Sequence, residues 1–88
     1  MKEITVRVVD PVGLHARPAT VAVSAASKFG CDVMVQYNNR QINMKSIMAV
    51  MSLGVPSQAD ITIVCNGEGE EDAVRAIEDI LRAQKVIA

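Results

Sequence analysis

Eighty-eight residues, half of them apolar and 22% charged, suffice for one small domain (1–88) with a single core and are too apolar for a disordered chain. Nine basic against ten acidic residues give a net charge of −1, which argues against nucleic-acid backbone binding as the main task. One Tyr, one Phe and no Trp argue against base-stacking platforms and make the core aliphatic.

In chain order, residues 3–9, EITVRVV, alternate Ile4, Val6 and Val8 against Glu3, Thr5 and Arg7, the pattern of a strand with one buried face. After DPVG comes the alanine-rich LHARPATVAVSAASKFG. There Ala19, Ala22, Val23 and Ala26 recur at helical spacing, and Gly30 suits the helix terminus. CDVMVQY alternates again, RQIN is a short return strand, and Asn38-Asn39 can supply the positive φ angles of a two-residue hairpin. SIMAVMSLG reads as a short helix with Ser46 at its N-cap and Gly54 just past its end. DITIVC is a fourth strand. EEDAVRAIEDILRAQ then sets Ala73, Val74, Ile77, Ile80 and Leu81 on one stripe, with acids in the first turn and Arg82 and Lys85 near the end. The order β-α-β-β-α-β-α predicts an α+β, two-layer open-faced sandwich, a four-stranded, mostly antiparallel sheet with three helices on one face.

No apolar run approaches the ~20 residues that cross a bilayer, and MKEITVRVVD has no signal-peptide h-region, so a cytoplasmic protein without membrane insertion is expected. Cys31 and Cys65 are isolated thiols, read as small buried apolar residues, although sequence alone leaves a bridge between them open. One histidine and two distant cysteines lack metal-ligand spacing, so no metal or cofactor is expected.

The chemistry concentrates in residues 13–18, GLHARP. Pro18 is tolerated in a first helical turn, which starts the helix at about residues 16–17 and puts His15 at or beside the N-cap. There the ring lies among free backbone N–H groups, at a helix end that attracts anions. The positive helix end and Arg17 both favour a neutral, nucleophilic ring, and the Arg17 fork suits phosphate oxygens. A neutral nitrogen nucleophile, a cation and backbone donors suit phosphoryl transfer. Spacing alone leaves the plainer reading standing, in which His15 only caps a helix and Arg17 is solvated. The same holds for Ser46, a favoured N-cap residue. It holds also for Ile47, Met48 and Met51, which composition would assign to the core, although a helix of IMAVM cannot turn all of them inward.

GLHARPAT, followed some thirty residues later by NMKSIMAVMSLG and closed by GEGEEDAVRAIEDIL, resembles HPr, the histidine-containing phosphocarrier family of the bacterial phosphoenolpyruvate:sugar phosphotransferase system. The resemblance spans essentially the whole chain and implies the same βαββαβα sandwich. It implies a phosphoryl carrier, not an enzyme in its own right, expected to be a monomer. Enzyme I would phosphorylate His15 at Nδ1, Arg17 would steady the phosphate, and Ala16 and Pro18 would form the supporting helix start. The group would pass to enzyme IIA domains. KSIM followed by VMSLG is similar to the branch in which the serine matching Ser46 is phosphorylated by HPr kinase/phosphorylase and then acts with catabolite control protein A. The docking face implied by the resemblance comprises Thr20, Ile47, Met48 and Met51. A protein regulating mainly through phospho-Ser46 is the alternative within this family, and a generic ligand- or RNA-binding module is a third class. Ala49 stands where the family usually has glycine, VPSQAD lacks its usual glycine, and Asn39 replaces a turn glycine. The first two bear on partner choice more than on carrier chemistry.

Overall fold

The computed structural model describes all residues from Met1 to Ala88. Its elements are β1 (Lys2–Arg7), α1 (Ala16–Ala26), β2 (Asp32–Tyr37), β3 (Arg40–Asn43), α2 (Ile47–Ser52), β4 (Asp60–Asn66) and α3 (Glu70–Ala83). The strands lie in the order β1-β4-β2-β3, and every pairing is antiparallel.

The alternation read from the sequence becomes cross-strand pairing of apolar side chains. Val6 lies opposite Ile61, Ile4 and Val35 opposite Ile63, and Val33 opposite Cys65. The helices cover this face. α1 contributes Ala19, Ala22, Ala25 and Ala26, and α3 contributes Ala73, Val74, Ile77 and Leu81. Each large aliphatic chain buried there contributes ~1.5–3 kcal/mol, while the alanines let α1 lie close to the sheet. The other face of the sheet is mostly polar, apart from Met34 and Val64, and is pinned across strands by Thr5–Thr62 (3.0 Å), Gln36–Gln41 (2.6 Å) and Arg7–Asp60 (3.1 Å).

Asn38 and Asn39 form the hairpin turn with φ of 53° and 66°, so asparagine performs the service glycine gives elsewhere. α1 ends earlier than expected. Its last residue is Ala26, with Ser27 as C-cap, and Gly30 has no positive φ and does not close the helix. The half-buried Phe29 packs on the core, and Lys45 donates from Nζ to its carbonyl at 2.7 Å, so the chain leaves the helix to meet β2. Val23 and Ile80, expected on apolar stripes, are half-buried at the edge of the core, and Ala25 takes the inward place on α1. Residues beyond α3 also pack inward. Val86 and Ile87 are buried, and Ile87 bridges Val8.

Cys31 and Cys65 are free thiols facing the core. Burial, with the Cys31 thiol beside it, pushes the Cys65 thiol up to about 11. No helix is long and apolar enough to cross a membrane.

Candidate functional site

The site grows from a folded loop between β1 and α1. Asp10 accepts twice: its Oδ1 from the Val12 N–H at 3.1 Å and its carbonyl from the Gly13 N–H at 2.9 Å. The Gly13 carbonyl in turn accepts the His15 N–H at 2.9 Å, and Leu14 donates to the Val55 carbonyl at 3.0 Å. Gly13 has φ of 81°, and a Cβ there would press into the Val55 carbonyl oxygen and come within 2.9 Å of Pro56. Only glycine lets this loop dock on the segment after α2.

This docking sets His15 at the N-cap of α1 in extended backbone, φ −94° and ψ −165°. Its Nδ1 accepts the Ala16 N–H at 2.9 Å. That bond defines the ring: Nδ1 presents its lone pair to the helix end, leaving Nε2 as the protonated nitrogen. Ala19 closes the first turn by donating to the His15 carbonyl at 2.8 Å, and Pro18 has no N–H. The ring takes the Ala16 N–H, so the free donor of this helix start is that of Arg17.

His15, Ala16 and Arg17 are exposed, and Pro18 is buried as the first anchor of α1. One shallow hollow is lined by Asp10, Val12, His15, Ala16, Arg17 and Pro18. Arg7 and Arg82 are engaged with Asp60 and Glu78, whereas Arg17 belongs to no ion pair and shares this hollow with His15. A second hollow on the other side of His15 is lined by Val12, Leu14, Met51, Gly54, Val55 and Pro56. A further hollow, polar and open, lies at the opposite end of the strands around Lys28, Asp32, Glu68 and Asp72 and shares no residue with the site.

Ser46 lies on α2 as its half-buried N-cap, with Oγ accepting the Ala49 N–H at 3.2 Å. Only Val50 of this helix is buried. Met48 is 80% exposed, Met51 42% and Ile47 40%, which overturns a core assignment for them, and Val12 beside His15 is 67% exposed. An apolar surface thus runs from the His15 loop to α2. Thr20 is exposed one turn into α1, its hydroxyl donating to the Ala16 carbonyl at 2.9 Å. Asp10, Val12 and the Gly54–Pro56 segment were not legible as site residues. Their place follows from the docking of two loops far apart in sequence, which leaves no local signal.

The chain matches the family model for the PTS HPr component phosphorylation site over residues 2–83. It is 36% identical to the histidine-containing phosphocarrier protein of a mycoplasma, covering 98% of both chains with a TM-score of 0.93. HPr of Thermoanaerobacter tengcongensis is 40% identical, with 96% of this chain and 94% of that one covered and a TM-score of 0.90. Crh of Bacillus subtilis, a catabolite repression protein whose structure is a domain-swapped dimer, is 33% identical over 96% of this chain and 97% of that one, with a TM-score of 0.74. On the family match and the agreement of the whole βαββαβα fold, this chain belongs to the HPr family of phosphocarrier proteins.

Proposed function

We propose that the chain relays a phosphoryl group from phospho-enzyme I to enzyme IIA domains through Nδ1 of His15. The observation that supports this most is the placement of that nitrogen: Nδ1 of the exposed His15 accepts the Ala16 N–H at the mouth of α1, in a hollow shared with Arg17. The Nδ1 lone pair attacks phosphorus in line, the donor's N–P bond breaks, and its electron pair stays on the donor nitrogen. Release to the acceptor runs the same step in reverse. The Ala16 N–H, freed as Nδ1 bonds phosphorus, donates to a phosphoryl oxygen, and the Arg17 guanidinium clamps the others. Pro18 anchors the helix that holds these groups. The exposed site suits a group that must be accepted and given up, with the partner excluding water. Thr20, Ile47, Met48 and Met51, together with Val12, form the docking face for these partners.

The test is labelling by enzyme I and phosphoenolpyruvate. Acid-labile phosphate in the wild type, absent from His15→Ala, supports the relay, and an unlabelled wild type removes it.

The likeness to Crh supports a second, regulatory role through Ser46. In this reading HPr kinase/phosphorylase phosphorylates Ser46, adding a charge of about −1.5 to −2 beside Ile47 and Met48. The phosphorylated face disfavours acidic partners and meets catabolite control protein A. Acid-stable label from ATP that vanishes in Ser46→Ala supports this role, and no label from an authentic kinase ends it. The proposed compartment is the cytoplasm, which the two unbridged buried thiols support. The proposed state is a monomer. Light scattering distinguishes it from a swapped dimer of the Crh kind.

A further inference from the structure

The hollow beside His15 contains two charged side chains of opposite sign, Arg17 and Asp10. The proposed chemistry uses Arg17 and leaves Asp10 without a role. Asp10 is also the better fixed of the two: it is half-buried, and its Oδ1 is pinned by the Val12 N–H at 3.1 Å, whereas Arg17 is exposed on a long stem. A carboxylate held at the rim of an anion site opposes the anion. The helix end and Arg17 both favour phosphorylated His15, and on their own they would make the phosphoramidate easy to form and hard to pass on. A carrier needs the two directions nearly balanced.

We propose that the Asp10 carboxylate is an electrostatic positioning residue of this site, a fixed negative charge that destabilises phosphorylated His15 and so favours delivery of the phosphoryl group. It does not touch the reacting atoms; it acts across the hollow on the phosphoryl oxygens. The inference rests on the carrier reading of His15. The step it governs is the exchange already described, in which one N–P bond forms as the other breaks, so the charge shifts an equilibrium and needs no co-reactant.

Asp10→Asn separates charge from structure, because the amide oxygen can still accept the Val12 N–H while the charge is gone. Asp10→Ala removes both. Each variant and the wild type are brought to equilibrium with enzyme I and labelled phosphoenolpyruvate and pyruvate, at low salt and at about 0.5 M salt, where charges beyond a few ångströms are screened. Asp10→Asn is expected to shift the phosphoryl equilibrium toward phosphohistidine on this chain on the order of threefold at low salt, with the gap closing at high salt. Asp10→Ala should shift the same way while melting lower. If Asp10→Asn matches the wild type at both salts, or holds less phosphate, Asp10 only builds the turn and the inference is overturned. A wild type that takes no label overturns the carrier reading itself, which is a separate result.

Discussion

Nδ1 of His15 accepts the backbone N–H of Ala16 at 2.9 Å, so the ring proposed to carry phosphate also caps the helix it stands on. The two roles separate by substitution. His15→Ala should lower stability by about 1 kcal/mol through the lost cap. His15→Asn, which restores a capping oxygen, should fold about as well as the wild type. Both should accept no phosphate. Urea unfolding beside enzyme I labelling checks this, and an Asn variant as unstable as Ala would refute the capping role.

Gly13→Ala should be among the most damaging single-methyl changes. The added carbon meets the Val55 carbonyl and Pro56 at a φ of 81° that alanine disfavours. A loss of ~2–4 kcal/mol is expected, with phosphoryl acceptance falling beyond what the unfolded fraction explains. Thermal melting and labelling of the folded fraction measure the two effects.

At Ser46 the cap and the proposed modification share one oxygen. Ser46→Ala should cost about 1 kcal/mol by orphaning the Ala49 N–H. Ser46→Asp, another good cap, should stay within a few tenths of the wild type. Its effect should appear in binding to enzyme I, weakened by the new charge, and titration calorimetry reads that directly.

Gln58 takes a φ of 72° in the loop that lacks the family's glycine, while its N–H donates to the Val8 carbonyl at 2.6 Å. Gln58→Gly relieves this backbone and keeps the hydrogen bond. A net gain of about 0.5–1 kcal/mol in denaturant unfolding is expected, the relief exceeding glycine's entropy.

The raised Cys65 thiol makes stability depend on alkaline pH. Its folded pKa, about 11, lies above the usual thiol value, so the fold favours the neutral form. That stability is complete below the usual thiol range and is lost as pH rises through it toward about 11. Unfolding midpoints should fall over this window in the wild type and fall less in Cys65→Ala.

Much of the fold was legible because each strand shows one face to the core, so period-two alternation through Val33, Val35, Ile61 and Ile63 carries its own register. His15 and Ser46 were placed at their caps by Pro18 and by serine's local hydrogen bonding, both short-range effects. Features set by distant contacts were misread. α1 ends at Ala26, and the segment after it is held by Lys45 reaching the Phe29 carbonyl, a contact that no neighbour of Gly30 reveals. For Met48 and Met51 composition alone favours the core, and the resemblance puts them on the surface instead, where a six-residue α2 with a single inward position, Val50, leaves them. Asp10 drew no reading of its own; its place in the hollow follows from loop curvature that composition does not encode.

The Leu14–Val55 hydrogen bond joins segments brought side by side only when β1 pairs with β4, where Val6 faces Ile61. A chain in which β1 has not paired with β4 does not hold the His15 loop against the segment after α2. If His15 is the acceptor proposed above, competence for phosphate is expected only of the completed molecule. Uptake of label should then track native content across preparations of this protein.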